Sequence, residues 1–231
     1  MNVVITGASR GIGKSIAEVF AAQGFDLYLN SMNPDRLDAA VKDLKKKYPS
    51  IKIMAHAANL RSREETKAFG RWCLDNCEPD ILVNNAGSFA GSNVSDEEDG
   101  ALEEMIETNL YSAYHLTRVI VLSMKKRRQG HIFNISSIAG LKAYPNGGSY
   151  SISKFALRGF SLNLRDELKT FNIKVTTVYP GAAYTDSWIG AVKEDRVMEA
   201  KDIADMILAS SKLSYKACVE EIILRPQLGD L

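Results

Sequence analysis

Short apolar runs return along this chain at near-regular intervals, with longer stretches of mixed residues between them. The runs are Val3–Thr6, Phe25–Asn30, Ile51–Ala57, Asp80–Asn84, His131–Ser136, Lys174–Tyr179 and Glu220–Leu224. They do not alternate strictly between apolar and polar positions, which is the pattern of strands covered on both faces. The intervening stretches repeat their apolar residues every three to four positions and so predict helices over Ile12–Gln23, Pro34–Tyr48, Ser62–Asn76, Glu97–Lys126, Tyr150–Thr170 and Lys201–Ser211. Strand and helix alternate throughout, and no linker, repeat or low-complexity segment interrupts them. The expected fold is α/β: a single doubly wound domain over residues 1–231, with a parallel sheet of about seven strands and helices on both faces. In such a sheet the carboxyl ends of the strands open on one side, and ligands bind there, at the crevice where strand order reverses. Candidate chemistry is therefore expected just after each strand.

Composition narrows the setting. Apolar residues make up 45% and charged residues 25% of 231 positions, with a net charge of +1, which gives no reason to expect a nucleic-acid or membrane partner. The densest basic run, Lys125–Gly130, falls at the expected C-terminal end of a helix, where cations offset the helix dipole and Gly130 can end the turn. Three cysteines, Cys73, Cys77 and Cys218, form an odd, sparse set, so free thiols in a reducing compartment are expected; Cys73 and Cys77, one turn apart on an expected helix, read as buried structural thiols with no third or fourth ligand nearby for a metal. No metal is expected. The chain enters a strand at once and holds no apolar run of spanning length, so no signal peptide or membrane helix is expected and the expected compartment is the cytoplasm.

The first strand runs directly into Thr6-Gly-Ala-Ser-Arg-Gly-Ile-Gly13 and then a helix. Gly7, Gly11 and Gly13 let the backbone turn tightly and let a pyrophosphate approach the positive N-terminus of that helix. After the second strand no acid appears before Asp35, whereas Ser31, Asn33 and Arg10 can donate to a ribose 2′-phosphate. This pattern favours NADP(H) over NAD(H). On the bland reading, Arg10 is a surface ion-pair partner and Ser31 and Asn33 are turn formers.

Tyr150 and Lys154 stand four residues apart. Chance supplies about one such pair in a chain of this composition, and Tyr48–Lys52 is another, but Pro49 breaks the helix there. Tyr150 and Lys154 instead share one face of an expected helix. With Thr6–Gly13, Asn84-Asn-Ala-Gly87, Asn109, Ser137, Pro180-Gly181 and Thr185, in this order and approximate spacing, the whole chain resembles the short-chain dehydrogenases/reductases, a family of Rossmann-type oxidoreductases. The resemblance implies roles. Gly7, Ser9, Arg10, Gly11, Ile12 and Gly13 would line the pyrophosphate and adenosine; Asn59 and Leu60 would lie at the adenine. Asn85 would lie beside the cofactor ribose, with Gly87 letting the backbone pass close to it; Thr185 would hold the nicotinamide amide, and Ala86, Pro180 and Gly181 are further cofactor-binding candidates. Asn109, Ser137, Tyr150 and Lys154 would form a catalytic tetrad, with Tyr150 and Lys154 also touching the nicotinamide ribose. Asn109 would bend its helix and hold a water that relays protons to the lysine.

The implied reaction is hydride transfer between nicotinamide and a carbonyl or secondary alcohol. Tyr150 would act as general acid or base, its pKa lowered from about 10 by two nearby cations, Lys154 and oxidised nicotinamide. Ser137 would hold the substrate oxygen. The segment after Thr185 is the expected substrate lid, short, with Trp188 and Ile189 as its apolar wall and Tyr184, Tyr144 and Phe89 adding to it. A small-molecule carbonyl reductase is the first reading and a 3-oxoacyl-thioester reductase a variant of it. An NADP(H)-binding redox sensor or scaffold without turnover is the alternative from another class. His56, His115 and His131 match no functional position and are expected to be structural. A homodimer or homotetramer through the two long helices is implied.

Overall fold

The structure, a computed structural model, describes residues 1–185 and 196–230. Seven strands form one all-parallel sheet: β1 (Asn2–Ile5), β2 (Asp26–Ser31), β3 (Ile53–Ala57), β4 (Ile81–Asn84), β5 (Gly130–Ile135), β6 (Ile173–Pro180) and β9 (Glu221–Leu224). Their order across the sheet is β3-β2-β1-β4-β5-β6-β9, so the winding reverses between β1 and β4. Two short strands, β7 (Ala183–Tyr184) and β8 (Met198–Glu199), pair separately. The helices are α1 (Gly11–Ala22), α2 (Pro34–Lys47), α3 (Arg63–Asn76), α4 (Ala101–Ile106), α5 (Ser112–Arg127), α6 (Gly148–Leu168) and α7 (Ala200–Ser211).

The period-two side-chain alternation of each strand divides the core into two layers. Val3 and Ile5 of β1 face Ile16 and Phe20 of α1, Leu37 of α2 and Ile203 and Ile207 of α7. Val4 faces the other way, toward Phe69 of α3, Leu116 and Ile120 of α5 and Leu164 of α6. Caps fix where helices begin: Asn33 accepts from the Arg36 amide at 2.9 Å, and Ser62 accepts from the Glu65 amide at 3.2 Å.

Two expectations need correction. The stretch Glu97–Lys126 is not one helix. A left-handed Gly100 (φ +92) precedes α4, and a π turn over Glu107–Tyr111 separates α4 from α5. Apolar periodicity cannot register this, because a π turn shifts the phase by a single residue. Gly130 does not end α5; Arg128 adopts the left-handed conformation (φ 53), and Gly130 opens β5 packed onto Met124, whose side chain would meet any Cβ there.

His131 is structural, as expected. Its ring stacks on Phe133 at 3.9 Å between centroids. Thr176 donates its hydroxyl to the Val219 carbonyl at 2.5 Å, so the 2.7 Å contact between His131 Nε2 and Thr176 Oγ1 has the imidazole N–H as donor. Burial pushes the His131 pKa down to about 3, with Lys174 adding to the effect. Below pH 6.5 the unfolded chain takes up a proton that the folded chain refuses until about pH 3, so this group removes stability as pH falls through that window. Urea unfolding at pH 7 and pH 4 should show a smaller acid loss in His131→Asn than in wild type; equal losses would refute the assignment.

Candidate active site

Thr6 closes β1, and its hydroxyl ties β1 to β4 across the reversal point. Thr6 Oγ1 accepts from the Asn85 and Ala86 amides, both at 2.9 Å. The Asn85 side-chain amide donates back to the Thr6 carbonyl at 2.9 Å and the Gly7 carbonyl at 3.2 Å. Gly7 (φ +64) and Gly11 (φ +53) take backbone conformations that other residues adopt only under strain. A Cβ on Gly13 would overlap the Gly7 carbonyl oxygen and lie 2.5 Å from Asn85 Nδ2. The turn is thus closed by backbone on one side and opens on the other toward the N-terminus of α1, where the N-cap side chain makes no capping bond and no acid lies in the first turn. That is the chemistry of an anion cradle. Thr185 sits across from it: a Cβ on Gly11 would be 3.2 Å from Thr185 Cγ2. Ile12 is half-buried beneath the turn, and Pro180 and Gly181 end β6, with the Gly181 amide donating to Leu224 at 2.7 Å.

On the adenosine side the expected donors have local partners. Ser9 and Ser31 share a hydroxyl–hydroxyl bond of 2.8 Å, which joins the glycine turn to the end of β2. Asn33 Oδ1 serves as the α2 cap, and Asn59 Oδ1 accepts from the Arg61 amide at 3.1 Å. Leu60 is buried, and its carbonyl accepts from Thr66 at 2.9 Å. Arg10 is the N-cap residue of α1.

The four tetrad candidates come together from the end of β5, the π turn before α5 and the first turns of α6. Ser137 follows β5, and its hydroxyl accepts from the Ala139 amide at 3.2 Å. Tyr150 and Lys154 stand on the first turns of α6, with Lys154 Nζ 5.7 Å from the centroid of the Tyr150 ring. Lys154 Nζ donates to the Ile135 carbonyl at 3.0 Å. Asn109 lies in the π turn, and its Oδ1 accepts from the Ser88 amide at 2.9 Å. A Cβ on Gly87 would be 2.9 Å from Asn109 Oδ1 and 3.5 Å from Lys154 Nζ, so glycine is what lets these groups approach one another.

Ser153 was not singled out in the sequence, yet it links the group. Asn109 Nδ2 donates to Ser153 Oγ at 2.9 Å, and Ser153 donates to the Tyr150 carbonyl at 2.7 Å. Only its position beside Lys154 could have signalled this. Phe89 meets Tyr150 edge-on, 4.9 Å between centroids. Tyr144 is partly exposed near the start of α6, and Tyr184 lies in β7. Trp188 and Ile189 lie outside the described residues.

The electrostatics correct one expectation. The Tyr150 pKa is not lowered in the protein alone. Burial pushes it up to about 12, with the Ser137 hydroxyl opposing and Tyr144 adding. Burial also brings Lys154 down to about 8. Desolvation disfavours both charged forms. In the neutral range Tyr150 is therefore a protonated donor beside a largely charged lysine.

Comparisons with known proteins agree with this architecture. A family model described as short chain dehydrogenase matches residues 1–196. A sepiapterin reductase from Chlorobaculum tepidum is 30% identical, covering 99% of this chain and 97% of its own. A 3-oxoacyl-[acyl-carrier-protein] reductase from Chlamydia muridarum is 31% identical, over 92% of this chain and 90% of its own. An alcohol dehydrogenase from the archaeon Thermococcus sibiricus, solved in complex with 5-hydroxy-NADP, superposes with a TM-score of 0.90 at 26% identity, covering 98% of this chain and 96% of the other. With the sheet order, the glycine turn and the full-length similarity taken together, the chain belongs to the short-chain dehydrogenase family of oxidoreductases.

Proposed function

We propose that residues 1–231 act as one NADP(H)-dependent oxidoreductase unit that interconverts a carbonyl and a secondary alcohol, with Tyr150 as general acid in reduction and general base in oxidation. The observation that carries this reading is the convergence of Ser137, Tyr150, Lys154 and Asn109 at the strand edges beside the cradle. Those four come from three separate stretches of chain.

The cradle fits a dinucleotide: glycines with positive φ, a helix N-terminus without its own cap, and no acid in the first turn. Gly7, Ser9, Arg10, Gly11, Ile12 and Gly13 would hold the pyrophosphate and adenosine, Ser31, Asn33, Asn59 and Leu60 the far ribose and adenine. Asn85, Ala86, Gly87, Pro180, Gly181 and Thr185 would hold the nicotinamide half. NADPH, when bound, supplies the hydride. Asn85 contributes by holding the turn, since its amide bonds Thr6 and Gly7. Ser137 donates a hydrogen bond to the substrate oxygen as negative charge grows there. Tyr150 then gives that oxygen its proton, and Lys154 stabilises the phenolate left behind. Asn109 and Ser153 hold the backbone of α6 in register.

The known relatives named above act on unlike substrates, so the test is a panel. Oxidation of NADPH and NADH should be followed side by side with 3-oxoacyl thioesters, diketones and 3-oxo acids. Turnover faster with NADPH on one class is the expected result. Binding of nucleotide without turnover on any carbonyl would favour the sensor reading instead.

Exposed apolar side chains on α5 (Tyr111 just before it, Tyr114, Leu122) and α6 (Ile152, Phe155, Leu162) support a homodimer or homotetramer through these helices; a cytoplasmic setting is proposed from the sequence alone. Light scattering should return two or four times the 25.5 kDa chain mass; a monomer would refute the assembly. Among the described residues no helix is long and apolar enough to cross a membrane.

A further inference from the structure

Helix α6 lacks a cap of its own. Its N-cap is Gly147, and its first turn carries no acid. The cap comes instead from 52 residues earlier in the chain: the Ser149 amide donates to Glu97 Oε1 at 2.7 Å, and the Ser149 hydroxyl donates to Glu97 Oε2. Gly148 (φ +37) makes the approach possible, since a Cβ there would overlap Glu97 Oε1 and lie 2.5 Å from the Ser92 carbonyl oxygen. The same segment also reaches Tyr150 from the other end, through the edge-on ring of Phe89. One stretch after β4 therefore grips Tyr150 twice, at its side chain and at the backbone one residue before it.

We infer that Glu97 is a positioning residue for Tyr150: its carboxylate fixes the first turn of α6 and so the direction of the phenol. The inference rests on Tyr150 being the acid–base group. A carboxylate at a helix N-terminus is favoured both by the open amides and by the helix dipole. Loss of that hold shifts the reacting group by fractions of an ångström to an ångström, enough to lower turnover substantially without touching nucleotide binding. The glycine turn of residues 7–13 shares no hydrogen bond with Glu97 among those described.

The experiment compares wild type, Glu97→Ala, Glu97→Gln, Ser149→Ala and Tyr150→Phe by steady-state kinetics and NADPH titration. Expected for Glu97→Ala is a fall in kcat of about 10- to 100-fold, with NADPH affinity within about threefold of wild type. Glu97→Gln should recover most of kcat, because its carbonyl can accept from the Ser149 amide and its amino group can donate to the Ser149 hydroxyl. Should Glu97→Ala fail to fold, Ser149→Ala, which removes one of the two bonds, should still lower kcat at constant affinity. Wild-type kcat in Glu97→Ala, parallel loss of kcat and nucleotide affinity, or a Gln variant as slow as Ala would each overturn the inference. A slow Tyr150→Phe beside an unimpaired Glu97→Ala would sink the inference alone. A fully active Tyr150→Phe would sink the underlying acid–base reading.

Discussion

Replacing Tyr150 with phenylalanine is expected to lower kcat by about 10²- to 10⁴-fold, the range that a positioned acid–base group contributes, while leaving NADPH affinity nearly unchanged. The substitution removes one oxygen and keeps the ring. The edge-on contact with Phe89 and the lysine lying 5.7 Å from the ring both survive it, so the packing around α6 has no reason to change. What disappears is the proton. With a pKa of about 12 in the protein alone, the hydroxyl is protonated throughout the neutral range and poised to donate. The reverse reaction needs the phenolate, so alcohol oxidation by wild type should rise with pH through the neutral and alkaline range, and the phenylalanine variant should show no such rise. Steady-state kinetics in both directions from pH 6 to 10 would check this. A variant retaining more than about a tenth of kcat, against the expected range, would remove Tyr150 from the mechanism.

Gly13→Ala should lower NADPH affinity by at least about tenfold, or about 1.4 kcal/mol, and reduce unfolding free energy by about 1–3 kcal/mol. The added methyl meets the Gly7 carbonyl and the Asn85 amide, neither of which can step aside cheaply. Gly7 is backbone in a left-handed turn, and Asn85 is held by two bonds to that same turn. Either the turn opens or α1 tilts, and both disturb the amides proposed to hold the pyrophosphate. Fluorescence titration with NADPH and urea unfolding would measure the two effects. Wild-type affinity in the alanine variant would show that the turn is not the phosphate cradle.

Much of this was legible in the chain because strand runs, helix periods and glycine turns are local signals. All seven strands of the sheet appear within two residues of their expected starts. The order of those strands is not a local property, and periodicity carries no trace of it. The candidate site was legible where a residue type has one reason to be present, as with Tyr150 and Lys154 on one helical face. It was less legible where polar side chains are versatile. Asn33 and Asn59, proposed at the nucleotide, also hold local backbone through their Oδ1 atoms, and Asn85 braces the glycine turn. Glu97, read as the start of a helix, caps a different one. Each of these partners is set by tertiary approach, which no spacing rule encodes. The pKa of Tyr150 went the other way for the same reason: the sequence shows the nearby cation but not the burial.

The packing of α1 against α7 has a consequence for how this chain matures. Ile16 and Phe20 are covered in part by Ile203 and Ile207, which the ribosome delivers nearly the whole chain later. At about 5–20 residues per second, that gap leaves the first helix half-clothed for on the order of ten seconds or more. Until then the face of α1 that carries Ile16 and Phe20 lacks part of its cover. The nascent protein is therefore expected to be exposed to chaperones and proteases at its N-terminal third, and to acquire nucleotide protection only late in synthesis.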